Sequence, residues 1–251
     1  MALSFLGELT GSQRSRRSNR QLCCLLDFVA GAINAGVFLA VQRYTSHMTG
    51  IVSAVADDLV LGQAGLVLAG LAFLGAFVAG AATTALLVNW ARRHGMQGQF
   101  ALPVLVEAVL LLLFGVLGAN LNVLVALFVP TTVLVLCFIM GLQNAIVTKI
   151  SHAEIRTTHM TGVITDLGIE LGRLAYWNRG GGDREPVRAD RDRLVLLASL
   201  LGLFLAGGIT GAAAFKAIGY GAVLPIAALL VAISSGPLIA DARLLWQRHA
   251  A

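Results

Sequence analysis

The chain has 251 residues, of which 57% are hydrophobic and only 12% are charged. Its mean hydropathy is +0.82, which argues against a water-soluble globular protein. The formal net charge of +5 comes from basic residues gathered near the ends of apolar segments, and it gives no reason to expect a nucleic-acid partner. Composition therefore predicts a protein whose main partner is the lipid bilayer.

Six stretches are apolar enough and long enough to cross a membrane, which takes about 20 helical residues. Helices are expected because lipid cannot satisfy unpaired backbone groups, and no segment alternates in the way a membrane β-strand does. The predicted fold class is therefore an all-α integral membrane protein with six transmembrane helices. In chain order the predicted spans are Gln21–Val41, Ala64–Asn89, Ala101–Gly118, Leu121–Thr148, Leu194–Phe215 and Gly221–Ala240.

The basic residues predict the orientation of these spans. Of the 18 lysines and arginines, all but Arg43 and Lys216 fall on one side of the membrane if the six spans alternate in direction. Cytoplasmic loops carry an excess of basic residues, so both termini are predicted to lie in the cytoplasm.

The string His-Met-Thr-Gly occurs twice, at residues 47–50 and 159–162. A carboxylate follows 11 residues after each histidine, Asp58 in the first copy and Glu170 in the second. We therefore interpret the chain as two copies of one unit with three spans each. Because three crossings are an odd number, the second unit is expected to be inverted about a pseudo-twofold axis in the membrane plane.

Matching sequence extends this repeat on both sides of the motif. Gly-x-x-Asn-Ala precedes it at residues 31–35 and 141–145, and a downstream match of Phe-Leu followed by Gly-Ala-Ala aligns Gly80 with Gly211. The chain is thus divided into a basic cytoplasmic N-terminal segment (1–20), repeat 1 (21–118), repeat 2 (119–245, with a cytoplasmic linker at about 175–193) and a C-terminal tail (246–251).

Each motif leads a segment that is too polar to span, Ile51–Gly62 in one repeat and Val163–Gly172 in the other. Such a segment is expected to form a short helix capped by Thr49 or Thr161, with a helix break at the Thr-Gly step. Two placements remain open. The short helices are either connectors at opposite membrane faces or re-entrant half-helices whose positive N-termini approach the midplane. Their repetition favours the re-entrant placement.

Two carboxyl groups fall inside predicted spans, where a charge costs at least about 2.5–3.5 kcal/mol. Asp27 shares a helical face with Gly31 and Asn34, and it occurs in one repeat only because its counterpart is Cys137. Glu107 is flanked by apolar sequence on both sides. Both acids are candidates for proton or ion coupling, and the alternative for each is a structural hydrogen bond or ion pair.

The motif histidines admit three interpretations, namely contact with substrate or protons, a structural hydrogen bond, or metal binding. No metal site and no cofactor are predicted, because inversion separates the two histidines and no further ligand set accompanies them. The candidate substrate-binding residues are Asn34, His47, Thr49, Gly50, Asn144, His159, Thr161 and Gly162. The candidate coupling residues are Asp27, Glu107, Asp58, Asp166 and Glu170, although Glu170 can also pair with Arg173 on the same helix.

These motifs resemble those of the YoaK-like family of bacterial membrane proteins with six spans. The resemblance covers roughly Asp27 to Leu245, and it is carried by the strings Asp27…Gly31-x-x-Asn34-Ala35, Ser46-His47-Met48-Thr49-Gly50, Gly141-Leu142-Gln143-Asn144-Ala145 and Arg156-Thr157-Thr158-His159-Met160-Thr161-Gly162. It implies a location in the inner membrane and a domain of unknown function, and it implies no substrate.

The sequence favours a small-solute transporter or channel, with its site at the repeat interface near the two motifs. The alternative is a non-transporting membrane scaffold or sensor. No nucleophile–base pair stands out, so an enzyme is not predicted, and formation of a homo-oligomer is left open. A water-filled cavity lined by Asn34, Asn144 and both motifs would favour transport, whereas dry packing there would favour the scaffold.

Overall fold

The computed structural model describes residues 16–41, 45–119, 125–150, 160–176 and 186–250. All regular structure in these ranges is helical, which agrees with the predicted all-α class. A 3₁₀ turn at Gly219–Ala222 joins the last two helices. The helices are α1 (Arg16–Val41), α2 (Met48–Val60), α3 (Ala64–Arg93), α4 (Ala101–Ala119), α5 (Val125–Ile150), α6 (Met160–Ala175), α7 (Arg191–Ile218) and α8 (Val223–Ala250).

Several helices are suited to a multi-pass membrane protein. In the described part of the chain, four segments are long and apolar enough to cross a bilayer: Ala64–Arg93, Ala101–Ala119, Pro130–Ile150 and Arg191–Leu244. The last of these contains both α7 and most of α8. Each predicted span overlaps one helix, α1, α3, α4, α5, α7 or α8, and the two predicted short helices are α2 and α6. Helix α1 is not among the four segments named above.

Helices α1 and α7 approach each other closely enough that glycine is required at their contact. A Cβ atom at Gly207 would collide with the carbonyl group of Phe28, and a Cβ atom at Gly211 would collide with that of Ala32. Small residues permit this kind of backbone approach between membrane helices. Since the contacts advance in the same direction along both helices, α1 and α7 run parallel.

Helices α3 and α5 form a second pair with the same contacts. A Cβ atom at Gly80 would collide with the carbonyl group of Phe138. One turn further on, the Thr84 hydroxyl donates a hydrogen bond of 2.9 Å to the carbonyl oxygen of Leu142. These two helices are therefore parallel as well, and Thr84 stands where the first pair has a glycine.

The two pairs correct the alignment of the repeats. The sequence match aligned Gly80 with Gly211, but the contacts align Gly80 with Gly207 and Thr84 with Gly211. The predicted register was therefore wrong by one helical turn. Glycines that recur every four residues lie on the same helical face, so sequence alone does not distinguish one turn from the next.

Helices α4 and α8 run antiparallel, and aromatic rings close one end of their contact. A Cβ atom at Gly118 would collide with the ring of Tyr220. The Phe114 ring lies 5.6 Å from the Tyr220 ring and 6.4 Å from the Phe215 ring, measured between centroids. The C-terminal ends of α4 and α7 are therefore packed together around three aromatic side chains.

At the other end of this pair, Asp241 of α8 binds the turn that precedes α4. Its carboxylate accepts hydrogen bonds from the backbone N–H groups of Gln97 (2.7 Å) and Gly98 (2.8 Å), and the side chain is buried. Asp241 was not among the residues singled out from the sequence. The available signal was an acidic residue in an otherwise apolar stretch of the last helix, which needed a partner.

We expect Asp241→Ala to lower the stability of the protein by about 3 kcal/mol, because each hydrogen bond to a charged group contributes about 1.5–3 kcal/mol. Thermal unfolding of the purified protein measures this loss, with Asp57→Ala at an exposed position as the control. Equal unfolding temperatures for the two variants would show that the Asp241 contact contributes little.

Candidate functional site

The residue before the first His-Met-Thr-Gly motif contacts the interior of α1 and not its C-terminal end. Helix α1 ends at Val41, yet the Ser46 hydroxyl donates a hydrogen bond of 2.8 Å to Oδ1 of the buried Asn34. Asn34 lies about two helical turns, or roughly 10 Å, before the end of α1. The start of the motif therefore lies well inside the end of the first helix.

Both short helices begin at the methionine of the motif. Helix α2 starts at Met48, with His47 as a capping residue that makes no side-chain capping hydrogen bond. Helix α6 starts at Met160. The predicted cap at Thr49 was wrong, because Thr49 already lies in the first turn of α2, as Thr161 does in α6. In the first copy the helix break thus precedes Met48 and does not fall at the Thr-Gly step.

The described motif residues lie at the surface of the protein. His47, Thr49, Gly50, Thr161 and Gly162 are all exposed, and no heavy atom lies within 4 Å of a Cβ atom built on Gly50. His159 lies outside the described residues. The first residue after the motif points inward instead, since Ile51 packs against the small buried cluster of Phe73, Val133 and Cys137.

Asp27 and Glu107 are fully buried, with exposures of 0%. Within the described ranges, none of their four carboxyl oxygens has a hydrogen-bond partner. Glu107 lies near the middle of α4, between the contact of Gly98 with Asp241 and that of Gly118 with Tyr220. A buried carboxylate without a partner is costly, so these two groups are where uptake of a proton or a cation would bring the largest gain.

Asn144 lies on α5 next to Gln143, a polar residue that was not among the candidates predicted from the sequence. Gln143 is fully buried, and its Nε2 donates a hydrogen bond of 3.0 Å to the carbonyl oxygen of Leu26. The Oε1 atom of Gln143 and the Oδ1 atom of Asn144 are both buried, with no partner among the described residues. Gln143 therefore places an amide next to the backbone of Asp27.

The acidic residues of α6 have partners. Asp166 forms a salt bridge of 2.9 Å with Arg193, and Glu170 forms one of 2.8 Å with Arg173, as its spacing predicted. Glu170 also accepts a hydrogen bond of 3.0 Å from the backbone N–H of Asp190. The contacts with Arg193 and Asp190 attach α6 to the start of α7. Their counterpart on α2, Asp58, is half-buried near the C-terminal end of that helix.

Two further observations bear on the kind of site. Within the ranges that the structure covers, no group of three metal-ligating side chains occurs. A cleft of about 460 Å³ runs between α1 and α7 and is lined by Arg20, Gln21, Cys24, Leu25, Phe28 and Leu203. Asn34 and Asn144 do not line it, and the hydrogen bond between Ser46 and Asn34 is buried.

The all-helical fold and its long apolar helices are compatible with a multi-pass membrane protein. A family model described as "Protein of unknown function (DUF1275)" matches residues 22–235. The chain belongs to this family, in agreement with the resemblance drawn from its motifs. No curated protein and no solved structure matches the chain.

Proposed function

We propose that this protein is a small-solute transporter or channel of the bacterial inner membrane. It has six spans arranged as two inverted repeats, with both termini in the cytoplasm and the solute site at the repeat interface. The observation that carries the proposal is the pair of buried, unpartnered carboxyl groups of Asp27 and Glu107. Ionisable groups inside a membrane protein mark ion and substrate pathways more often than they serve packing alone.

The contacts between helices support the inverted arrangement. Helix α1 packs parallel to α7, and α5 packs parallel to α3, with matching glycine contacts in both pairs. Helices α1 and α5 run in opposite directions, because Asn19 donates a hydrogen bond to Ile150 while Gln143 donates one to Leu26. Opposite directions of the first helix in each unit are the expected result of inversion.

The position of Ser46 supports re-entrant motif helices. Its hydrogen bond to Asn34 returns the chain roughly 10 Å toward the middle of α1. Helix α2 then runs antiparallel to α3, because Val55 lies where a Cβ atom on Gly70 would be. The N-terminus of α2 is thus the end of this helix nearest the mid-height of α1 and α3, where a positive helix dipole would favour an anionic group.

Asp27 and Glu107 are the proposed coupling groups. Asp166 and Glu170 stay in the predicted coupling set together with Asp58, but their salt bridges already give them a structural role. Asn34, Asn144 and the motif residues remain the proposed solute contacts. In this proposal the chain has no catalytic residue and needs no cofactor.

The test is solute-dependent thermal stabilisation of the purified protein with a broad panel of metabolites and ions. A ligand of the folded state raises apparent stability, by about 2.7 kcal/mol at 100 times its Kd. We expect at least one small solute to stabilise the wild type. Absence of stabilisation across the panel, at concentrations well above usual transporter affinities, would contradict the proposal.

A second candidate is a non-transporting membrane scaffold or sensor. The buried hydrogen bond between Ser46 and Asn34 favours it, because the two side chains satisfy each other directly and neither of them lines the α1–α7 cleft. A scaffold would be stabilised by a protein partner or by its own oligomerisation and would show no stabilisation by any solute. The same panel therefore separates a transporter from a scaffold.

The proposed topology makes a separate prediction. In a variant without native cysteines, we expect Gln63→Cys to react with a membrane-impermeant thiol reagent from outside the cell. We expect Arg188→Cys to react only after the membrane is opened. Both positions are exposed, so failure to react has a topological cause. Reaction of both from the same side would contradict the inverted repeat.

A further inference from the structure

The cleft between α1 and α7 is separate from the proposed solute site. Its volume is about 460 Å³, which lies in the range of small-molecule sites. All six lining side chains are half-buried, so each is accessible from the surface. They are Arg20, Gln21, Cys24, Leu25, Phe28 and Leu203. None of them belongs to the buried acids or to the motifs.

The lining changes from charged to apolar along the cleft. Arg20 and Gln21 lie at the basic end of α1. The apolar side chains of Leu25, Phe28 and Leu203 line the rest of the cleft. From Arg20 to Phe28 the helix rises about 12 Å. A ligand that uses the whole cleft therefore has an anionic or polar head and an apolar chain.

The guanidinium group of Arg20 is held at the mouth of the cleft. One of its Nη atoms donates a hydrogen bond of 3.3 Å to the carbonyl oxygen of Asp192, at the start of α7. In the described part of the chain no carboxylate forms a salt bridge with it. A guanidinium carries five N–H donors, so several remain for an anionic ligand such as a phosphate group.

This positive charge is not part of the repeat. The residue of α5 that corresponds to Arg20 is Pro130, and Ala76 of α3 corresponds to Leu203 when the glycine contacts are superimposed. The contact between the paired helices occurs twice, but only the α1–α7 pair carries a cation there. The fold alone therefore does not require Arg20 at this position.

We propose that the α1–α7 cleft binds one anionic phospholipid, with the phosphate group on Arg20 and an acyl chain along Leu25, Phe28 and Leu203. Charge complementarity selects an anionic head group, and basic pockets between membrane helices bind such lipids. The apolar continuation selects a lipid over a free anion, because inorganic phosphate gains nothing from contact with leucine and phenylalanine side chains. The proposed lipid site does not depend on whether the protein transports a solute.

The test compares two lipids with identical acyl chains, phosphatidylglycerol and phosphatidylcholine, added to the full-length protein in detergent. The readouts are the thermal unfolding temperature and lipid retention in native mass spectrometry. Arg20→Gln removes the charge, and Leu203→Trp fills the apolar part. Arg92→Gln is the matched control, because Arg92 is an exposed basic residue at the end of α3 and does not line the cleft.

We expect phosphatidylglycerol to bind the wild type and the Arg92→Gln control more tightly than phosphatidylcholine does. Arg20→Gln should weaken phosphatidylglycerol binding by about tenfold, the loss expected for one charge-assisted hydrogen bond. Leu203→Trp should weaken the binding of both lipids. If Arg20→Gln lowers expression, the effect of Leu203→Trp on lipid binding still tests the proposal.

Equal binding of the two lipids by the wild type would overturn the proposal, as would unchanged lipid binding in both cleft variants. An arm with inorganic phosphate alone distinguishes the source of the anion. Stabilisation by phosphate equal to that by phosphatidylglycerol would show an anion site without an acyl chain, which also contradicts the proposal.

Discussion

Alanine at Gly80 or Gly207 is expected to destabilise the protein strongly, whereas alanine at Gly75 or Gly202 is not. A Cβ atom at either of the first two positions would collide with a backbone carbonyl group of the neighbouring helix. A carbonyl group cannot rotate away as a side chain does, so the helices must separate. Overpacking of this kind costs about 1–3 kcal/mol and occasionally more. We expect the upper end of this range.

The two control positions are matched in every respect but packing. Gly75 and Gly80 lie on α3, Gly202 and Gly207 lie on α7, and each control corresponds to the other under the repeat. No heavy atom lies within 4 Å of a Cβ atom at Gly75 or Gly202. Alanine is the better helix former, so these variants should unfold at or slightly above the wild-type temperature.

Thermal unfolding of the four variants in one detergent gives the comparison. The contact geometry predicts similar losses for Gly80→Ala and Gly207→Ala, because the two glycines occupy corresponding positions in the two helix pairs. If Gly80→Ala unfolds at the same temperature as Gly75→Ala, α3 and α5 do not approach each other as closely as the contact at Gly80 requires.

Asp27→Asn is expected to preserve the fold and to abolish the pH dependence of solute binding. The asparagine side chain has nearly the same volume, and it removes an ionisable group that has no hydrogen-bond partner among the described residues. Replacing a buried charged group by a neutral one is often neutral or stabilising. The unfolding temperature should therefore stay at or above that of the wild type.

The structural explanation of Asp27 predicts the opposite order of effects. If Asp27 holds the bundle together through an ion pair, Asp27→Asn should lower the unfolding temperature and leave the pH dependence of solute binding unchanged. Measuring both quantities on the same purified variant separates the two explanations. Asp57→Asn, on an exposed face of α2, is the control for the loss of one negative charge.

Much of the fold could be predicted from the pattern of apolar residues. The helices from α1 to α8 follow from hydropathy and from the polar residues that interrupt it, because a membrane allows few alternatives to a helix. The Glu170–Arg173 salt bridge followed from spacing alone, since residues three apart share a helix face. Local rules are sufficient for such features.

Contacts between distant segments could not be predicted in the same way. The pairing of Gly80 with Phe138 depends on the register between two helices, and a shift by one turn leaves every residue on the same face. The hydrogen bond from Ser46 to Asn34 requires the chain to turn back after α1, which no local propensity encodes. Asp241 needed a hydrogen-bond partner, but no residue near it in the sequence indicated that this partner is the turn before α4.

We propose that Asp27 and Glu107 couple the movement of a small solute to the movement of protons. The most direct test of this proposal uses proteoliposomes that contain a pH-sensitive dye and receive the solute that stabilises the wild type most. We expect a change of internal pH with the wild type and none with the Asp27→Asn, Glu107→Gln double variant, while both proteins still unfold at similar temperatures. An equal pH change with both proteins would contradict the proposal, and so would solute uptake by the wild type without any proton movement.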